Sequence, residues 1–278
     1  VSGAAAGDAR GMGRAGRRRI LVTGAGAGIG RAVAARLVDA GDEVHAFDLR
    51  DPDLPGVTFH RCDLSSEAGV REGLAGLGDA SVDGLALVAG LPGTRPGEQV
   101  FRVNVLGARA VALGVRDRLA LGSGVVFVGS ISAHRSPLGD AEIGAILDEP
   151  SFDEASQAFV RHALDGNDAY TASKKALVAL AERLAEGNLA RGIRFNVVSP
   201  GPVETGILGD FRTSMGADRI QAAADLVGRH ATPEEVAAPI VWLLSPEARW
   251  VNGIVLPVDG GYHTAARRLR GGGRSDPG

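Results

Sequence analysis

Thr23-Gly24-Ala25-Gly26-Ala27-Gly28-Ile29-Gly30 follows the short apolar run Ile20 to Thr23 and opens a stretch, Ile29 to Ala40, whose apolar residues recur at helical spacing. A glycine-rich turn between a strand and a helix lets the backbone approach a ligand closely. The N–H groups of the helix's first turn then favour an anion such as a pyrophosphate. Outward from this turn the rhythm repeats. Glu43 to Asp48 and Val57 to Arg61 read as strands, Val70 to Leu77 as a helix, Leu85 to Ala89 as a strand, Val100 to Leu119 as a helix and Val125 to Gly129 as a strand. The strands are almost continuously apolar, as parallel strands covered on both faces are. The reading is α/β, one doubly wound parallel sheet of the Rossmann type.

After Ser130 the rhythm breaks, and residues 133–169 read as a helical insertion. Ser151 with Glu154 three positions on makes a capping box, and Phe152, Ala155, Phe159 and Val160 share one face. The alternation resumes with a helix from Asp168 to about Ala190, a strand at Ile193 to Val198 and a loop from Pro200. It ends with a helix over Pro233 to Leu244 capped by Thr232 and a last strand at Ile254 to Val258. Residues 1–18 and 264–278, rich in Gly, Ala and Arg, read as disordered tails around a single domain over 19–263.

The chain has 278 residues, 45% hydrophobic and 23% charged, enough for one sizeable core. Residues 1–19 and 264–278 carry nine Arg against two Asp, so the net −3 of the whole leaves about −10 on residues 20–263. An acidic body argues against nucleic acid as a partner. No stretch approaches a membrane span. A lone cysteine, Cys62, excludes a disulfide framework and suits a reducing cytoplasm. The six histidines lack ligand spacing, and the insertion's carboxylates lack a calcium-loop pattern, so no metal is expected.

Asp48 ends the second strand about eighteen residues after Gly30, where a carboxylate accepts hydrogen bonds from the ribose hydroxyls of an adenine dinucleotide and repels a 2′-phosphate. This favours NAD over NADP, with Arg50 the one feature pointing the other way. Tyr170 and Lys174 are four apart and share a helical face. A nearby ammonium stabilises a phenolate, which lets such a tyrosine exchange protons near neutral pH.

These segments, with Cys62-Asp63-Leu64, Ala89-Gly90, Asn104, Ser130, Tyr170-Thr171-Ala172-Ser173-Lys174 and Ser199-Pro200-Gly201-Pro202-Val203-Glu204-Thr205, resemble the short-chain dehydrogenase/reductase family over about residues 19–262. The resemblance implies hydride transfer between a secondary alcohol (or lactol) and a nicotinamide cofactor, giving a ketone (or lactone). It implies that Ser130 bonds the substrate oxygen, that Tyr170 exchanges its proton, and that Lys174 binds the nicotinamide ribose and lowers the Tyr170 pKa. Asn104 holds a water linking Lys174 to solvent. The cofactor would lie along Gly24, Ala27, Gly28, Ile29, Asp48, Leu49, Asp63, Leu64, Ala89, Gly90, Pro200, Gly201, Val203 and Thr205, with Asp63 meeting the adenine amino group. Leu87-Val88 replaces the Asn-Asn that often precedes Ala-Gly in this family, so an amide that ties neighbouring strands is missing.

The forty residues between Ser130 and Tyr170 are an unusually long separation. With Phe47-Asp48-Leu49-Arg50, Val82-Asp83-Gly84-Leu85-Ala86-Leu87 and the early Asn104, this resembles the bacterial 3α-hydroxysteroid dehydrogenase/carbonyl reductase branch. There the insertion is associated with dimers. The expected partner is therefore a small-molecule substrate and a second copy of the chain, a dimer being favoured over a tetramer. The insertion and a flap beginning near Glu204 are expected to cover the substrate, with Leu91, Leu138, Ile207, Leu208, Phe211 and Met215 lining an apolar or mixed pocket. A steroid, polycyclic ketone, sugar-derived lactol or natural-product intermediate all fit. The rival reading is a catalytically weak dinucleotide sensor or scaffold of the same fold, and the set Asn104, Ser130, Tyr170 and Lys174 weighs against it.

Overall fold

The computed structural model describes residues 17–270. The strands β1 (Arg19–Thr23), β2 (Glu43–Asp48), β3 (Val57–Arg61), β4 (Val82–Leu87), β5 (Leu119–Val128), β6 (Arg194–Pro200) and β7 (Val255–Val258) form a single sheet in the order β3-β2-β1-β4-β5-β6-β7. Every neighbouring pair is parallel. Because successive strands run outward from β1 in one direction and from β4 in the other, their C-terminal ends part and leave a crevice between β1 and β4.

The helices cover both faces. On one, α1 (Gly28–Asp39) packs against α10 (Pro233–Leu244) over Ile20, Val22, Ala86 and Val126. On the other lie α2 (Glu67–Gly76), α3 (Gly97–Phe101), α4 (Ala108–Gly114), α5 (Asp140–Asp148), α6 (Phe152–Val160) and α7 (Gly166–Gly187), over Leu21, Leu85, Val125, Phe127 and Phe195. The central strands are thus apolar on both sides because both sides are buried. Two further helices, α8 (Leu208–Met215) and α9 (Ala217–Val227), cross the C-terminal edge, and α11 (Tyr262–Arg270) rests against α9. Among the described residues no helix is long and apolar enough to cross a membrane.

Three local readings change. The stretch read as a helix from Val100 to Leu119 is interrupted by a π-helical turn at Arg102–Gly107 and gives way to β5 at Leu119. Gly107 presses against Leu64 there, and a Cβ at that position would lie 2.4 Å from the Leu64 carbonyl oxygen. The domain begins earlier than residue 19: Arg17 donates to the Gly41 and Asp42 carbonyls, and Arg18 pairs with the buried Asp42 at 2.6 Å. At the other end residues 264–270 are helical, not a tail, because Ala265 and Ala266 continue the half-buried stripe begun by Tyr262. Residues 1–16 and 271–278 of the expected tails lie outside the described residues.

Ser151 caps α6 as expected, but the reciprocal half of the capping box is not formed, the Glu154 carboxylate taking the Ser151 hydroxyl in place of its backbone N–H. Ser151 Oγ accepts from the Glu154 N–H at 3.2 Å and donates to the Glu154 carboxylate at 2.6 Å. Phe152, Ala155 and Phe159 are buried, and the Phe159 ring stacks on Phe101 at 4.1 Å. Val160 is 47% exposed, one step of about 100° round the helix from Phe159 and off the buried stripe. Arg102 fastens this helix inward. It reaches Asp153 at 3.0 Å and Ser156 at 3.2 Å, lies over the Phe152 ring, and donates to the Ser65 carbonyl at 2.7 Å. α5 is tied to α7 by Lys175–Asp140 at 2.8 Å and Arg183–Asp148 at 2.7 Å.

The strand tie that Leu87-Val88 cannot supply comes from β1 instead. The buried Thr23 Oγ1 accepts from the N–H groups of Val88, at 3.0 Å, and Ala89, at 3.2 Å. Thr23→Val keeps the shape and removes the acceptor, leaving those two amides unpaired. Urea denaturation should show a loss of roughly 1–3 kcal/mol, with Thr23→Ser close to the parent; an unchanged midpoint in the valine variant would contradict the assignment.

Candidate active site

A cavity of about 770 Å³ runs along the C-terminal ends of the strands, from the glycine-rich turn to α7. Its floor is shaped by the turn. Gly24 takes φ +72°, and a Cβ there would lie 2.7 Å from Ala89 Cα, so the β1–α1 turn and the end of β4 touch backbone to backbone. At Gly30 a Cβ would fall 2.0 Å from the Gly24 carbonyl oxygen, which lets α1 start tight against the turn. Such a cradle fits a dinucleotide, because its pyrophosphate needs that backbone approach at a helix N-terminus.

Asp48 organises the adenosine end. Its Oδ2 accepts from the Gly26 N–H at 2.9 Å, and its Oδ1 from the Leu49 N–H at 2.7 Å and the Arg50 N–H at 3.4 Å. A carboxylate has about four acceptor positions, so capacity remains for a ribose hydroxyl. Asp63 is held by Ser65, whose N–H and hydroxyl both donate to its Oδ1.

All of the expected cofactor residues reach this one cavity: Gly24, Ala27, Gly28, Ile29, Asp48, Leu49, Asp63, Leu64, Ala89, Gly90, Tyr170, Lys174, Pro200, Gly201, Val203 and Thr205. The lining also holds Arg50, Asp51, Ser65, Gln99 and Val103, which the sequence reading did not assign to the cofactor. Gln99 and Val103 come from α3 and the π-helical turn, and no motif marks them.

At the far end α7 buries Tyr170 and Lys174 on the same face. Lys174 Nζ donates to the Val128 carbonyl at 2.8 Å and sits 5.7 Å from the Tyr170 ring centre. Burial pushes its pKa down to about 8. Burial also pushes the Tyr170 phenol up to about 12, and a hydrogen bond with Ser130 pulls it back. The Lys174 ammonium is anchored on the β5 carbonyl one helical turn away. Ser130 caps a 3₁₀ turn, with Ser132 Oγ 2.9 Å from its own oxygen.

Asn104 does not face the cavity. It is fully buried, and its amide clamps the β4–α3 loop: Oδ1 accepts from the Leu91 N–H at 2.6 Å, while Nδ2 donates to the Leu91 carbonyl at 3.1 Å and to Ser173 Oγ at 3.0 Å. It still converges on Lys174, since a Cβ at Gly90 would lie 3.3 Å from Asn104 Oδ1 and 3.4 Å from Lys174 Nζ.

A second cavity of about 320 Å³ shares Ser130, Tyr170, Gly201 and Phe211 with the first. The Phe211 ring stands edge-on to Tyr170 at 5.2 Å, and Asp210 beside it accepts from Thr94 Oγ1 at 2.8 Å, joining α8 to the β4–α3 loop. Of the expected substrate-side residues, Leu91 and Ile207 line the first cavity, Phe211 both and Met215 the second, whereas Leu138 and Leu208 are buried in the protein. The helices of the insertion do not cover the mouth: α5 and α6 pack on α7, α3 and the π-helical turn. Its first residues, His134 and Arg135, do line the second cavity, together with residues of α8, α9 and α11. That part of α11 escaped the sequence reading, although Tyr262, Ala265, Ala266 and Leu269 follow helical spacing.

The comparisons agree with this architecture. A family model described as enoyl-(acyl carrier protein) reductase matches residues 155–263. A coniferyl-alcohol dehydrogenase from Pseudomonas sp. is 34% identical over 88% of this chain and 96% of its own. A 3-alpha-hydroxysteroid dehydrogenase/carbonyl reductase from Comamonas testosteroni is 31% identical over 89% and 97%. The crystal structure of a 3-alpha-hydroxysteroid dehydrogenase from Pseudomonas sp. B-0831, complexed with NADH, superposes with a TM-score of 0.75 at 30% identity, over 90% of this chain and 98% of that one. The chain belongs to the short-chain dehydrogenase/reductase family. It is an oxidoreductase with a Rossmann-type nucleotide-binding fold.

The two shifted groups set a pH signature. If Tyr170 is the proton donor, ketone reduction consumes its proton, which burial retains, so the rate should stay level up to about pH 8 and fall as Lys174 discharges above it. Alcohol oxidation needs that proton gone and should climb as pH rises through neutrality. Steady-state rates in both directions across this range test the assignment; parallel profiles contradict it.

Proposed function

We propose that this protein interconverts a secondary alcohol, or lactol, and the corresponding ketone, or lactone, with NAD as the cofactor and Tyr170 as general acid/base. The observation that carries the reading is the meeting of Ser130 and Tyr170 where the dinucleotide-shaped cavity joins the second cavity, with Lys174 buried one helical turn behind. A bound nicotinamide supplies the two-electron chemistry, taking hydride from the carbinol carbon or returning it to the carbonyl carbon. The protein's own groups manage the oxygen and its proton. Ser130 and Tyr170 fix the oxygen, and Tyr170 Oη takes the hydroxyl proton in oxidation or donates it in reduction. Lys174 holds the positive charge behind the phenol and faces the ribose side. Asn104 keeps Leu91 and Ser173 in place, and we assign the water-holding role to the main chain of the π-helical turn on which it sits.

NAD is favoured over NADP by the charges at the adenosine end, where Asp48, Asp51 and Asp63 outweigh Arg50. A 2′-phosphate would meet the Asp48 carboxylate. The buried Cys62, its thiol pushed up to about 12, suits the cytoplasm.

Tyr170→Phe removes only the hydroxyl. With a panel of secondary alcohols, turnover should fall by roughly two or more orders of magnitude with NAD affinity nearly unchanged, and the parent should use NAD better than NADP. Near-normal turnover in the variant rejects the mechanism, and equal use of the two cofactors rejects the Asp48 argument.

For the assembly we propose a two-fold dimer. α5 lies against α7, held by two salt bridges, and α6 packs on α5, so the insertion occupies ground that a four-helix contact between subunits would use. Light scattering should give twice the chain mass; a stable tetramer joined through α7 rejects the blocking role.

A further inference from the structure

The hydroxyl that meets the reacting oxygen is itself gripped by a second serine two residues on. Ser132 is buried, stands on the 3₁₀ turn Ile131–Arg135 that Ser130 caps, and lines the second cavity but not the first. Its N–H donates to Ser130 Oγ at 3.2 Å, and its own Oγ lies 2.9 Å from the same atom. The N–H bond alone is an ordinary cap that satisfies one free donor of the turn. The contact between the two hydroxyls is additional, and capping does not require it.

Which hydroxyl donates follows from the capacity of Ser130. A serine oxygen carries one hydrogen and two acceptor positions. The reaction needs that hydrogen aimed at the substrate. A ketone oxygen has only lone pairs to offer, and an alcohol oxygen that gives its proton to Tyr170 has only lone pairs left for Ser130. The hydrogen bond by which Ser130 pulls the Tyr170 phenol down is also one in which Ser130 donates, since a donor favours the phenolate. With the Ser132 N–H in one acceptor position, the Ser132 hydroxyl takes the other. The same two-pronged grip occurs at Asp63, where the Ser65 N–H at 2.9 Å and hydroxyl at 2.7 Å both reach Oδ1. There the acceptor is a carboxylate with no hydrogen of its own to give.

We infer that Ser132 is a positioning residue for the proposed reaction: its hydroxyl and N–H together fill the acceptor positions of Ser130 and leave the Ser130 hydrogen one direction, toward the oxygen that exchanges its proton with Tyr170. This rests on the alcohol dehydrogenase reading and adds how the serine of the pair is aimed. A hydroxyl that accepts also donates more strongly, because each bond in a chain polarises the next. Without the Ser132 hydroxyl a second direction opens for the Ser130 hydrogen, and the substrate oxygen loses a fixed donor where charge develops.

The test uses the full chain with NAD and three secondary alcohols, cyclohexanol, 1-indanol and 1-phenylethanol, and follows the one that the parent oxidises fastest. Ser132→Ala keeps the backbone cap, so the thermal midpoint and the NAD affinity should stay close to the parent. Its kcat should fall by roughly three- to tenfold, the scale of one neutral hydrogen bond, with KM little changed. Ser132→Thr, which keeps the hydroxyl, should recover most of the rate. Ser132→Cys, close in shape but a weak donor, should fall between and takes the place of the alanine variant if that one unfolds. In a Ser130→Ala background, read by single turnover, Ser132→Ala should cost nothing further, because no hydroxyl remains to be aimed. An unchanged kcat in Ser132→Ala, with the parent active, overturns the positioning role and leaves the alcohol dehydrogenase standing. An equal loss with and without the Ser130 hydroxyl overturns it as well, and so does a loss carried by KM, which would make Ser132 a substrate contact. No oxidation of any of the three alcohols by the parent counts against the dehydrogenase reading and against the role that rests on it.

Discussion

The contact between the end of β1 and the end of β4 sets the geometry of everything at the C-terminal edge of the sheet. A doubly wound sheet parts at this point, and the gap stays narrow only if something bridges it after the ladder hydrogen bonds have stopped. Thr23 does so with a single oxygen that accepts two amides, Val88 and Ala89. Gly24 then turns so closely over Ala89 that no side chain fits between them. Because Asp48 on β2 catches Gly26 from the other side, the glycine-rich turn is held at both ends by side chains of the sheet. The N-terminus of α1 is thereby aimed into the crevice. The same carboxylate that faces the adenosine end also fixes the turn that meets the pyrophosphate, so cofactor preference and loop geometry depend on one residue.

The helices of the insertion contribute from behind the site and not from above it. Arg102 joins Asp153 and Ser156 of α6 to the Ser65 carbonyl, and Ser65 in turn holds Asp63. The stacked Phe101 and Phe159 bury the same seam. A helix that touches no ligand therefore braces the adenine side of the cavity, while α5, salt-bridged to α7, braces the helix that carries Tyr170 and Lys174. Residue Arg102 sits at the start of the π-helical turn that also presents Asn104 to Leu91, so the widened turn serves the insertion, the β4–α3 loop and the lysine pocket together.

The sheet and the cofactor cradle were legible in the sequence because their determinants are local. β2, β3 and α10 begin and end where apolar runs, turn residues and the Thr232 cap place them. What escaped depends on contacts distant in sequence. β5 extends back to Leu119 through Gly122-Ser123-Gly124, which reads as a turn until the neighbouring strand is present to pair with it. The π-helical turn has no period of its own, being imposed by the packing of Gly107 on Leu64 and of Asn104 on Leu91. The burial that raises the Tyr170 phenol is a property of the assembled core, which the spacing to Lys174 does not reveal. The arginine-rich end was read from composition as a tail, and its helical part became visible only against α9.

The chain divides its labour along its length. The first half builds the cofactor cradle from rigid strand ends, and the walls beyond Tyr170 come mostly from segments after β5, namely the 3₁₀ turn, α8, α9 and α11. That division separates two electrostatic demands. The body over residues 20–263 carries about −10, with Asp48, Asp51 and Asp63 at the adenosine end. The mouth instead gathers Arg135, Arg219 and Arg267 from elements far apart in sequence.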